Sequence, residues 1–421
     1  MNVRDFGKAG HWPTLVCAVL YFGVSSMIWV LVGALANAIV IEFPLSSLQK
    51  GLLVGTPILG GAILRLPFGL MADRIGARRT AILGMVLTIV PLVMGWLWAD
   101  SFGDLLVVGL LLGVAGASFA VALPMASRWY KRQQQGLALG IVGVGNFGTS
   151  LAALFGPLLT AQFGWHAVFG FALVPLGIGL GVFVLFATDC PNAPPPKPLG
   201  DYVAVLRLRD TWYLCLFYTV TFGTFVGLTS FLGIFFHEHY RLSSVQAGTM
   251  VGLCVVAGSL LRPVGGYLAD HVGGISLLTI LYVAASIILL DLATSPPMIW
   301  GMILFVTLMG LLGLGNGAVF QLVPQRFPKE IGVVTGVVGA IGGVGGFFLP
   351  TLFGGVHQLT GSFGLGFVFI TLSALSCVAV LFHISYAWDG IFITKEGLAA
   401  EPSNSVPAPQ VEPEMAGSGV S

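Results

Sequence analysis

The chain has 421 residues, 56% of them hydrophobic and 8% charged, with a formal net charge of +1 and a mean hydropathy of +0.96. A water-soluble fold does not carry so little charge, so the composition specifies an integral membrane protein. The near-zero balance removes the basic surplus that nucleic-acid binding needs, and the five scattered cysteines, Cys17, Cys190, Cys215, Cys254 and Cys377, have no metal-ligand spacing and read as apolar filling.

Apolar runs long enough to cross a bilayer predict twelve helices, at 14–40, 51–71, 79–98, 104–127, 136–161 and 164–187, then 211–236, 246–268, 275–294, 298–322, 332–358 and 363–388. The first run is too long for a signal-peptide core and has no small-residue cleavage site after it, so it is expected to stay as the first span. These runs divide into a six-helix bundle at 1–187, a linker at 188–210, a second bundle at 211–388 and a tail at 389–421. The prolines of TDCPNAPPPKPLGDYVAVLRLRD prevent a continuous helix at the start of the linker. The polar, Pro/Ser-rich tail is expected to be disordered. All but four of the 18 lysines and arginines fall on one side of the predicted spans. Lys50 and Arg241 fall on the other side, and Arg65 and Arg262 fall within. Lysine and arginine concentrate on the cytoplasmic face, which places both termini and the linker in the cytoplasm of a multi-pass protein of the cell membrane.

The two sets of six spans are copies. GLLVGTPILGGAILRLPFGLMADRIGARR (51–79) lies on GTMVGLCVVAGSLLRPVGGYLADHVGG (248–274), matching Gly51 to Gly248, Gly55 to Gly252, Gly61 to Gly258, Arg65 to Arg262 and Asp73 to Asp270. LLGVAGASFAVALP (111–124) pairs with LLGLGNGAVFQLVP (311–324), and GLALGIVGVG (136–145) with GVVTGVVGAI (332–341). A parallel six-span repeat is the build of a two-domain secondary transporter whose site lies between the domains.

In each copy one arginine precedes the aspartate by eight residues, which sets the guanidinium roughly 12 Å above the aspartate turn at about 1.5 Å of rise per residue, nearly halfway into a hydrocarbon layer about 30 Å thick. No carboxylate is expected inside any span: Asp73 and Asp270 are read as turn residues, Asp100 and Asp104 as loop residues, and Asp291 as near a helix end. A charge near the bilayer centre costs about 2.5–3.5 kcal/mol or more, so two such charges need an anion. The planar fork of arginine matches a flat oxyanion through paired N–H···O bonds, where lysine offers only a point charge. The competing reading has both arginines bonded to backbone carbonyls at helix contacts. No nucleophile, metal cluster or phosphate loop accompanies them, which argues against an enzyme and against any cofactor.

The turn GLMADRIGARR (69–79) closely resembles the cytoplasmic loop 2–3 motif of the major facilitator superfamily, with GYLADHVGG (266–274) as a reduced copy. The resemblance implies an all-α membrane fold of twelve transmembrane helices in two six-helix repeats. It also implies a gating charge relay of Asp73, Arg74 and Arg78, with Asp270 at the second copy. The glycine-rich spans GIVGVGNFGTS (140–150) and GVVGAIGGVGGFFLP (336–350) put small residues at helix-contact spacing and permit sliding or bending. Asn146 in the first could bond substrate or bond across helices. Taken with the two arginine segments and with GVAGASFAVALPMASRWY (113–130) and NGAVFQLVPQRFPKEIG (316–332), these signatures resemble the nitrate/nitrite porter family, most closely its assimilatory nitrate transporters. The family implies that Arg65 and Arg262 clamp the anion, that Asn146 and Tyr218 hydrogen-bond it, and that Phe119 and Phe222 sandwich its plane. Gly342 and Gly343 stand where an asparagine would balance Asn146. The resemblance therefore implies a monomeric importer of nitrate, with nitrite as a second substrate, bathed in membrane lipid and driven by proton symport or nitrite exchange. Two alternatives remain open: a carrier for another small monovalent anion such as formate, and a non-transporting anion receptor.

Overall fold

The computed structural model describes residues 10–130, 132–191, 199–327 and 331–388, and all regular structure among them is helical. Twelve helices are long and apolar enough to cross a membrane: α1 Trp12–Glu42, α2 Ser47–Ile75, α3 Ala77–Leu97, α4 Phe102–Ser127, α5 Ala138–Phe163, α6 Trp165–Phe186, α7 Arg209–His239, α8 Ser244–Val272, α9 Gly274–Ala293, α10 Met298–Val323, α11 Val333–Thr360 and α12 Gly364–Trp388. Their composition alone accounts for this, since a stretch without water must satisfy every backbone group internally and a helix does so.

The structure corrects the expected spans at their ends. Helices α2 and α8 run beyond 71 and 268, so Asp73 and Asp270 sit in the last helical turn rather than in a following one. The chain breaks instead at Gly76 and Gly273, with φ of 96° and 86°, a conformation that a side chain would strain. Asp104 lies in the first turn of α4, where Ser101 caps it, and not in a loop. Both α2 and α8 also start alike: Ser46 and Ser243 accept from the backbone of Gln49 and Gln246, whose side chains return the bond. Between α6 and α7 the predicted linker contains a short helix, Leu199–Arg207. The proline-rich residues 192–198, the tail 389–421 expected to be disordered, and residues 1–9, 131 and 328–330 lie outside the described residues.

The helices sort into a buried interior and a lipid-facing rim. In α7, 89% of the apolar window is buried, against 33% in α6. Val86 and Val90 on α3, Val174 and Ile178 on α6, Ile280 and Ile287 on α9, and Phe369 and Phe382 on α12 are exposed, an apolar belt that only lipid can cover. Two long contacts join the first six helices to the last six, α2 along α11 and α5 along α8.

Polar bonds cross that seam at one end. Asn37 donates to the Gly233 carbonyl at 3.0 Å, Ser47 Oγ meets His357 Nδ1 at 3.1 Å, Leu48 N–H donates to Gln358 at 3.2 Å, and Lys50 forms an ion pair with Glu238. At the other end Arg128 pairs with Asp73 and Arg326 with Asp210, each pair within one set of six helices.

Candidate functional site

Four helices depart from α-geometry beside candidate site residues. Helix α1 breaks at Val30, just after Trp29, and α4 breaks at Ala117, just before Phe119. Helix α5 tightens into a 3₁₀ turn at Val144–Phe147 around Asn146, and α7 widens into a π turn at Thr219–Gly223, which begins after Tyr218 and holds Phe222. Such irregularities spend backbone hydrogen bonds and re-aim side chains, and they concentrate where a ligand is handled.

Arg65 and Arg262 come together here, in the regular helices α2 and α8, with 0% and 4% exposure. The Arg65 Cζ lies 5.0 Å from the centre of the Phe119 ring and 4.9 Å from that of Phe222. The Arg262 Cζ lies 5.5 and 5.8 Å from the same two rings. Two cations from opposite sets of helices therefore share one aromatic pair, within the reach of cation–π attraction. The two rings are 6.1 Å apart and inclined by 30°. A planar guest between them needs two van der Waals separations, about 7 Å, so the pair is closed to slightly less than a sandwich.

The guanidinium groups are partly satisfied. Arg65 donates from Nε to the Gly116 carbonyl at 3.3 Å and from Nη1 to the Gly339 carbonyl across the seam. Arg262 donates from Nη2 to the Tyr218 hydroxyl at 2.9 Å. Arg65 thus bonds backbone carbonyls, as the competing reading has it, whereas the Arg262 bond goes to a side-chain hydroxyl. Among the described residues no carboxylate lies within 4.0 Å of either group, and Arg65 Nη2 and Arg262 Nη1 are buried without a hydrogen-bond partner. Each fork keeps one buried nitrogen with no bond made, in a place where an unmade bond costs about 1–3 kcal/mol or more.

The glycine-rich spans have a sharper role than helix contact. A Cβ at Gly143 of α5 would lie 3.1 Å from Arg262 Cδ, and one at Gly343 of α11 would lie 3.3 Å from Arg65 Nη1 and 3.0 Å from the Ala62 side chain. A Cβ at Gly342 would meet the Tyr218 ring at 2.5 Å. Each stretch makes room for the arginine of the opposite set of helices. Asn146, 3% exposed, lies three residues from Gly143, on the face that α5 turns toward Arg262.

Three residues were not singled out from sequence: Trp29 and Phe320 in this cluster, and Arg128 at the end of α4. Trp29 lies under Arg65, 5.3 Å from ring centre to Cζ, and its indole donates to the Pro57 carbonyl at 2.6 Å. Phe320 of α10 lies 6.0 Å from Arg262 Cζ and 4.8 Å from the Tyr218 ring. Arg128 is the ion-pair partner of Asp73, while Arg78 donates to the Val184 carbonyl at 2.7 Å and its backbone N–H donates to Asp189 at 2.9 Å. Arg74 and Asp270 are exposed, and Asp270 hydrogen-bonds Gln321. Asp73 thus pairs with Arg128, at the end of α4, a partner that the expected relay of Asp73, Arg74 and Arg78 did not include.

Comparison with known proteins agrees with this architecture. Residues 14–350 match the Major Facilitator Superfamily. The chain is 33% identical over 365 residues to the "Nitrite extrusion protein" of Bacillus subtilis, covering 86% of this chain and 90% of that one. It is 34% identical over 389 residues to the "Probable nitrate/nitrite transporter NarK2" of Mycobacterium tuberculosis, covering 89% and 97%. In fold it is similar to the crystal structure of the human organic anion transporter MFSD10, with a TM-score of 0.70 at 17% identity over 88% of this chain and 99% of that one. By sequence and fold, the chain belongs to the nitrate/nitrite porter family of the major facilitator superfamily.

Proposed function

We propose that this protein imports nitrate, and carries nitrite as a second substrate, by alternating access around Arg65 and Arg262. One observation carries the reading: two buried guanidinium groups, without a counter-ion among the described residues, each hold a free N–H donor beside the same pair of aromatic rings. A flat monovalent anion supplies what that arrangement lacks. Its oxygens accept from both forks, Asn146 and the Tyr218 hydroxyl complete the polar ring, and Phe119 and Phe222 cover its two faces.

The bundles 1–187 and 211–388 are the moving parts and 188–210 joins them, with both termini in the cytoplasm and the monomer as the working unit. Occupancy places one negative charge between two like positive charges across the seam and offsets their repulsion, so it favours closure and hence turnover. The polar bonds at the Lys50–Glu238 end support a conformation closed to the outside, and Asp73–Arg128, with Asp270 in the second copy, serves the cytoplasmic gate. Inward movement of an anion against the membrane potential costs about 2.3 kcal/mol per charge per 100 mV. Proton symport or exchange for internal nitrite supplies it, and a proteoliposome assay separates the two: an imposed pH gradient drives nitrate uptake in the first case, and preloaded nitrite drives it in the second.

Labelled-nitrate uptake into proteoliposomes, with formate as competitor, tests the substrate. Saturable uptake that nitrite inhibits and equimolar formate does not is the expected result. Equal inhibition by formate makes the protein a general small-anion carrier, and binding without flux makes it a receptor.

A further inference from the structure

Around Arg262 the polar groups that remain unbonded point to a third ligand position. We infer that Ser259 of α8 and Asn316 of α10 bind one anion oxygen beside Arg262 and set the preference for a three-oxygen anion over a two-oxygen one. The inference rests on the anion-clamp reading of the two arginines.

Ser259 and Asn316 are each 1% exposed, and Ser259 Oγ and Asn316 Oδ1 have no hydrogen-bond partner among the described residues, as Arg262 Nη1 has none. Three unmade polar atoms on two adjoining helices are rare, because each buried one is costly. Ser259 lies three residues before Arg262, on the same face of α8. The direction of Asn316 follows from its neighbours. Gly313 and Gly317 pack so closely on α8 that a side chain at either would collide with the Gly258 or the Arg262 carbonyl, and a Cβ at Gly315 would lie 2.7 Å from Thr221 in the π turn of α7. At about 100° per residue, Asn316 projects into the wedge between those two directions, on the side where Phe320, one turn on, meets Tyr218 and Arg262. Helical side chains lean toward the helix N-terminus, which carries the amide toward the level of Ser259.

The other copy lacks this pocket. The residues that repeat Ser259 and Asn316 are Ala62 and Gly116, and the Trp29 indole occupies the space that Gly116 leaves open. An amide presents its N–H₂ by a half-turn of its last bond, so Arg262 Nη1, the Ser259 hydroxyl and the Asn316 amide converge as donors. Nitrate has a third oxygen for them, and nitrite does not.

Calorimetric binding of nitrate and of nitrite to the purified full chain tests this, with Asn316→Leu, which keeps the branched shape and removes the polarity, and Ser259→Ala. Asn316→Leu is expected to weaken nitrate about tenfold and nitrite less than twofold. Equal weakening of both anions, or of neither, overturns the inference. If Asn316→Leu does not fold, Ser259→Ala carries the same test, since alanine already occupies the equivalent place in α2. A wild-type protein that binds neither anion overturns the clamp reading itself.

Discussion

The two arginines are copies in sequence and unlike in their surroundings. Arg65 is held by two backbone carbonyls and the face of Trp29, whereas among the described residues Arg262 has one side-chain bond, to the Tyr218 hydroxyl, and unbonded polar neighbours. Duplication supplied two matching cations, and divergence of the packing around them made one a fixed anchor and the other an adaptable arm. A rigid anchor loses little freedom on binding, and an arm with spare donors can follow the anion as the seam opens.

Substitutions that remove charge break this comparison most severely. Arg65→Gln is expected to lower nitrate transport more than a hundredfold in proteoliposomes, since a charge-assisted bond is worth about 1.5–3 kcal/mol and the anchor makes several. Arg262→Gln is expected to cost roughly thirtyfold by the same measure, and an equal loss in both would dissolve the distinction between anchor and arm. Trp29→Phe comes next. It shrinks the face under Arg65 and leaves the Pro57 carbonyl without its donor, so KM for nitrate should rise about tenfold. Tyr218→Phe removes one hydroxyl from Arg262, with an expected rise in KM of about fivefold.

The smallest expected effect lies at the gates. Lys50–Glu238 is half-buried and a pair of that kind is worth about 1 kcal/mol or less. Glu238→Gln should therefore move the conformational balance toward the outward-open form by a few-fold. Accessibility of a cysteine introduced at Ser47 to an impermeant thiol reagent reads that shift, against a background with Cys17, Cys190, Cys215, Cys254 and Cys377 replaced.

How far these features could be read in advance follows from how local they are. Span positions follow from apolar runs, and the pairing of Arg65 with Arg262 follows from the duplication, so both were legible within a few residues. The helix ends were less so, because Asp73 and Asp270 look like turn residues until the positive φ of Gly76 and Gly273 shows where the chain turns. Trp29 and Arg128 carry no local mark, and only the approach of α1 to α2 and of α4 to α2 gives them partners. The glycines of α5 and α11 announced close contact but not with what. That each clears a path for an arginine from the opposite six helices is a property of the seam, which no single stretch encodes.

The central claim is that the fork of each arginine, and not its charge alone, receives the substrate. Labelled-nitrate counterflow with Arg65→Lys and Arg262→Lys, which keep the charge and remove the fork, tests it most directly. The account requires counterflow to fall at least tenfold in both, further in Arg65→Lys, while unrelated mutations of lipid-facing residues such as Ile178 leave it unchanged. Counterflow at the wild-type rate in both lysine variants would contradict it.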